Sequence, residues 1–280
     1  MHIKIFFSNF DPEFKLLQLL KRIVIVLSLV VVLFASCDFK LRPIDFLNAE
    51  ENVVEIQRFD RLQSRYLTTG DFTALQQMET DYPMETRALI ENVLRLGLMD
   101  DPNISKKFLS YFQDSTLQVL ISDVQAEYAN IDDLNQQINT SFSKLQKEVP
   151  TLVIPRFYTQ IGALDESIIV GDEMLGISLD KYMGEGYSLY KKHYSLSQRQ
   201  SMNRSNIVPD CLVFYLLSQY PLASYDSKSQ TERDFHMGKM MWVVNRIMGY
   251  RFFKIKFIDD VEQYQRKHNF SIKELLEKDN

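Results

Sequence analysis

An α+β fold, a small and mainly antiparallel sheet with a large helical complement, is the class the sequence predicts, and three observations carry it. Residues 152–161, 167–170 and 174–179 are short apolar runs divided by Gly and Asp, the signature of strands with tight connections. Between residues 71 and 149 apolar side chains recur at three- and four-residue spacings, which gives amphipathic helices. Residues 209–221 (PDCLVFYLLSQYP) and 231–248 are two longer helical patterns, expected at the centre of the second half.

Taken in order, residues 1–37 read as a lipoprotein export signal: Lys21 and Arg22 precede the apolar run IVIVLSLVVVLF, and Ala35 and Ser36 precede Cys37. The run is shorter than the ~20 residues a spanning helix needs, so cleavage is the expectation. The ending Leu-Phe-Ala-Ser-Cys looks like a lipobox, which makes Cys37 the predicted lipidation site. Acyl chains contribute about 0.8 kcal/mol per buried methylene, enough for several of them to hold a folded body at a membrane surface. Asp38-Phe39-Lys40 after the cysteine carries no acidic cluster resembling the surface-export signal of such lipoproteins, so a periplasm-facing body is expected. Residues 38–52, with Pro43, read as a tether and 53–280 as one domain.

Within that domain VVEIQRF (53–59) alternates and predicts a first strand. Helices are expected over 71–78, with Asp71 as cap, and over 84–96, 104–112, 116–128 and 131–149, broken at Pro83, Pro102 and Pro150. The sheet follows, packed by helices on one side. Residues 180–194 read as short turns and loop, and 227–230 as a linker. Met237, Met240, Met241, Val244 and Met248 share a helix face and read as core. An aromatic-basic stretch, 250–257, precedes two short helices at 259–267 and 271–278.

With 32 Lys and Arg against 37 Asp and Glu the chain is mildly acidic, which argues against nucleic acid as a partner. Only two cysteines are present, and a modified Cys37 leaves Cys211 without an intramolecular partner, so the core must hold the fold.

Catalytic signatures are sparse. His193, His236 and His268 include no pair at helical i, i+4 spacing, so neither a metal nor another cofactor is expected. Asp165-Glu166 and Asp172-Glu173 read as turn residues rather than acid-base pairs. Ser178 lacks a nucleophile elbow, and Gly184 and Gly186 do not follow a strand in a phosphate-cradling pattern. The most unusual composition is the Tyr- and Lys-rich stretch from residue 180. It offers Asp180, Lys181, Tyr182, Tyr187 and Tyr190, with Asp210, as a candidate recognition surface.

The blocks VEIQRFDR (54–61), DYP (81–83), ISLDKYMGEGYSLY (177–190), NIVPD (206–210) and GKMMWVVNRIMGY (238–250), behind a lipobox cysteine, resemble the gliding motility lipoprotein family GldB. The resemblance implies a membrane-anchored envelope lipoprotein whose partners are envelope proteins, acting through contacts rather than as an enzyme. Family members usually run further past the stretch like 261–276, which implies a shortened member. The family also looks distantly like zincin peptidases, with the helix from Pro209 in the place of the metal-binding helix. That likeness implies a degenerate zincin-like scaffold and, as an alternative, a hydrolase with an atypical site.

Overall fold

The computed structural model describes residues 54–278; the predicted signal, Cys37 and the tether lie outside them. The first strand predicted at 53–59 is reduced to a single parallel bridge between Gln57 and Tyr158. The backbone groups around it go elsewhere: the amides of Val54 and Ile56 donate to Asn139 Oδ1 (2.6 Å) and Asn135 Oδ1 (2.8 Å). A helix then begins at Phe59. This α1 (Phe59–Thr69) stops at Gly70, whose left-handed backbone returns its amide to Tyr66.

α2 (Phe72–Asp81) is capped by Asp71, whose side chain accepts from the Thr73 amide. α3 (Pro83–Arg87) starts at its proline and widens into a π-helical turn over Ala88–Val93. α4 (Ile104–Tyr111), α5 (Ser115–Glu127, capped by Asp114) and α6 (Asp132–Glu148) follow within a residue or two of the predicted bounds.

Three strands form the sheet: β1 (Arg156–Gln160), β2 (Ile168–Gly171) and β3 (Met174–Ser178), in the order β1-β3-β2. Here the structure corrects the expectation of a mainly antiparallel sheet. β2 and β3 form an antiparallel hairpin through Asp172 and Glu173, but β1 pairs with β3 in parallel, Arg156 opposite Met174 through Gln160 opposite Ser178. The sheet is mixed because the chain leaving β1 passes over the end of β3 to reach β2 on the far side. The sheet is also covered on both faces, not one. Neighbouring strand residues point to opposite faces; Phe157 meets Phe142 of α6 with ring centroids 4.8 Å apart, while Tyr158 meets Phe59 of α1 at 6.0 Å. Every residue of β3 is accordingly buried.

After the sheet come a 3₁₀ turn (Leu179–Lys181), α7 (Ser188–His193), α8 (Leu196–Arg199) and then α9 (Ile207–Gln219), buried nearly all round with Cys211 in the core. α10 (Gln230–Met248) opens on a Ser229/Glu232 capping box and closes at Gly249. Its Met240 and Val244 are core, with Met237, Met241 and Met248 packed against it. α11 (Lys256–His268) and α12 (Ile272–Glu277) finish the described chain.

Candidate functional site

The crossing loop, residues 161–167, is where the family-like block 177–190 does its work. Asp180 lies just past β3, fully buried, and its two carboxylate oxygens accept the amides of Gly162 (2.8 Å) and Leu164 (2.6 Å). Burial pushes this carboxyl above the usual range, and the two amide bonds oppose that shift. Ala163 and Leu164 both sit in the left-handed region, at φ 53° and 68°, a conformation L residues hold only when neighbours fix it. Gly162 is required by the crossing itself: a Cβ there would lie 2.9 Å from Ser178 Oγ.

Lys181 fastens the outer side. Its ammonium donates to the carbonyls of Leu164 (3.2 Å) and Asp165 (3.0 Å) and lies 4.7 Å from the centre of the Tyr194 ring. Tyr194 in turn donates its hydroxyl to the Leu164 carbonyl at 2.5 Å. Tyr190 donates to the Asp180 carbonyl and accepts the Met183 amide at 2.9 Å. Tyr187, Tyr190 and Tyr194 stack edge to face at 5.1 and 5.7 Å. Tyr187 reaches Asp123 at 2.8 Å, and the Tyr182 carbonyl takes the Tyr128 hydroxyl at 2.6 Å.

The predicted recognition residues are therefore brought together, but as a scaffold rather than a surface. Asp180, Tyr182 and Tyr190 are buried, with their polar groups paired inside the protein, because the crossing loop leaves backbone amides and carbonyls that need partners. Lys181 and Tyr187 are half-buried. Asp210, in the first turn of α9, has one side-chain partner, the Tyr182 hydroxyl at 2.9 Å, and burial lifts its pKa to about 7. What the assembly holds out to solvent is the loop's tip, Asp165 and Glu166, with Arg95 3.8 Å from Glu166. Asp172 and Glu173 form the exposed β2–β3 turn.

Two contributors are absent from the sequence reading. Gly162 and Leu164 supply the amides, and the clue is the length of the 161–167 connection, too long for a two-residue hairpin. Asp60 on α1 is the second. Buried completely, it takes Arg58 in a two-pronged pair (2.8 Å each), Thr159 (2.5 Å) and Gln125 (3.0 Å), joining the lead-in, β1 and α5. The histidines fall on separate elements: His193 at the end of α7, His236 buried in α10 and His268 at the end of α11. Among the described residues no three His, Cys, Asp or Glu side chains group as metal ligands, and no helix is long and apolar enough to cross a membrane.

No curated protein and no solved structure matches the chain, so the distant zincin likeness finds no support. Residues 43–258 match the family described as gliding motility protein GldB, and the five blocks quoted from the sequence all fall inside that span. Because the match covers most of the chain, the protein belongs to the GldB gliding motility family, lipoproteins of the cell envelope.

Proposed function

We propose that this chain is an anchored envelope component of the gliding machinery that works by contacting other envelope proteins rather than by catalysis. The crossing loop supports the reading above all. A buried aspartate, a lysine and a tyrosine ladder hold its backbone in a strained form and leave Asp165 and Glu166 outside, which is how a rigid scaffold positions a recognition loop. On this reading Asp180, Lys181, Tyr182, Tyr187 and Tyr190 are positioning residues for the loop, and Asp210 steadies Tyr182. Acyl chains on Cys37, exposed by removal of residues 1–36, hold the body at the membrane, facing the periplasm. Nucleic acid is no partner.

The test is complementation with Asp165→Lys combined with Glu166→Lys. Spreading of colonies should be lost while the amount of protein and its membrane fraction stay unchanged. A photo-crosslinking residue at position 166 should give one discrete envelope adduct that disappears with Asp180→Asn. Undiminished spreading would sink the proposal. So would one equivalent of zinc on the purified chain that leaves when His193 and His236 are replaced, the outcome a hydrolase of zincin-like ancestry requires.

A further inference from the structure

The aromatic-basic corner between α10 and α11 plays no part in the crossing loop. Its shape is fixed by three features of α10. The Asn245 side chain accepts the amides of Phe252 and Phe253 (2.9 Å each) and donates to the Phe253 carbonyl (3.0 Å). Gly249 supplies the left-handed turn at φ 78°. Gly238 lets the Phe257 backbone approach so closely that a Cβ would lie 2.9 Å from the Phe257 carbonyl oxygen. So pinned, the corner packs Phe253 against the core, leaves Phe252 half-buried, and turns Tyr250, Arg251, Lys254, Ile255 and Lys256 outward. Tyr250 is 54% and Ile255 37% exposed.

Behind the corner lies an open cavity of about 570 Å³ whose lining includes Trp242, Arg246, Arg251 and Arg266. A second cavity of about 540 Å³ shares Trp242, Arg246 and Arg266 and adds Lys144 and Lys147 of α6. Two of the acidic groups among these residues are paired with cations: Asp259 pairs with Arg251, and Glu262 takes the Trp242 indole N–H and lies 3.7 Å from Arg266. Glu148 also lines the second cavity, and Asp260 is exposed beside the corner. Residues 246–266 carry five cationic side chains against three acidic ones in a chain whose net charge is −5, so the positive surface is local.

We propose that this corner is a second membrane contact, in which Lys254, Lys256 and Arg246 take anionic lipid headgroups while Tyr250 and Ile255 enter the interface. Cations alone would suit an acidic peptide equally. The exposed aromatic and aliphatic tips on the same rigid loop are what favour a lipid surface, where amphipathic rings and basic side chains sit at one level. A family lipoprotein is already held near such a surface, and one anchor is commonly reinforced by a basic patch.

The experiment uses the full acylated chain carrying Ile255→Cys labelled with an NBD fluorophore; Cys211 is buried, and the parent chain taken through the same labelling serves as the blank. The chain is reconstituted in vesicles of phosphatidylcholine, with or without phosphatidylglycerol. Several-fold brighter, blue-shifted emission in the anionic vesicles, lost with Lys254→Glu and Lys256→Glu and reduced by salt, is the expected result. Both lysines are exposed, so the variants retain the fold, and circular dichroism checks it. Equal emission in the two lipids, emission indifferent to the charge reversal, or the same rise produced by a poly-glutamate peptide on neutral vesicles would each overturn the proposal.

Discussion

Asp180 and Asp210 are the same residue type in two kinds of burial, and the difference decides how each responds to change. Burial raises both carboxyls; Asp180 has two backbone amides that oppose the shift, whereas Asp210 has one tyrosine hydroxyl and its pKa rises to about 7. A carboxyl whose folded pKa lies above its unfolded one binds its proton more tightly when folded. Stability from Asp210 is therefore full below about pH 4 and is lost as pH rises to about 7, by an amount on the order of 4 kcal/mol. Asp210→Asn keeps an acceptor for Tyr182 and removes the titration. Urea unfolding should show the variant gaining on the parent between pH 5 and pH 8, and a gap that does not change with pH would count against the assignment. Asp180→Asn should cost about 2–3 kcal/mol, since it turns an acceptor into a donor facing a buried amide. Faster hydrogen exchange at Gly162 and Leu164 would locate the loss in the loop.

At the level of elements, what the sequence concealed has a common physical cause: polar residues on buried faces. α1 buries Phe59, Asp60, Gln63, Ser64, Tyr66 and Leu67, a good helical stripe by spacing, but three of the six are polar and the apolar pattern vanishes. VVEIQRF has the alternation of a strand, yet Asn135 and Asn139, one turn apart on α6, capture the amides that a sheet would use. The helices with apolar stripes and side-chain caps, α2 and α5 among them, were legible because no such substitution intervenes. The candidate site was legible only in part. The 177–190 block is visible as composition, but its partner loop is recognised only once β1 is known to run parallel to β3. Glycines in this region separate the same way. Gly162→Ala should cost about 1–3 kcal/mol, because the new methyl meets Ser178 Oγ at 2.9 Å and Val93 at 3.3 Å. Gly186→Ala meets nothing within 4 Å and should be close to neutral or slightly stabilising. Equal melting shifts for the two would refute the account of the crossing.

Across the whole molecule, two of the blocks that carry the family resemblance do separate mechanical jobs. Residues 177–190 support the crossing loop, while 238–250 build the corner that fixes residues 250–257. Cys37 precedes the family match, which begins at residue 43, and lies outside the described residues. On the lipid-anchor reading, Cys37→Ala should abolish incorporation of labelled palmitate and release the body from the membrane fraction. The corner's contact, acting alone, should leave at most a salt-labile residue of binding, since headgroup attraction weakens as ions screen it. Should the altered protein still take up palmitate, the acyl chain sits on another residue. Should it remain membrane-bound in high salt with no label, attachment depends on something other than this thiol.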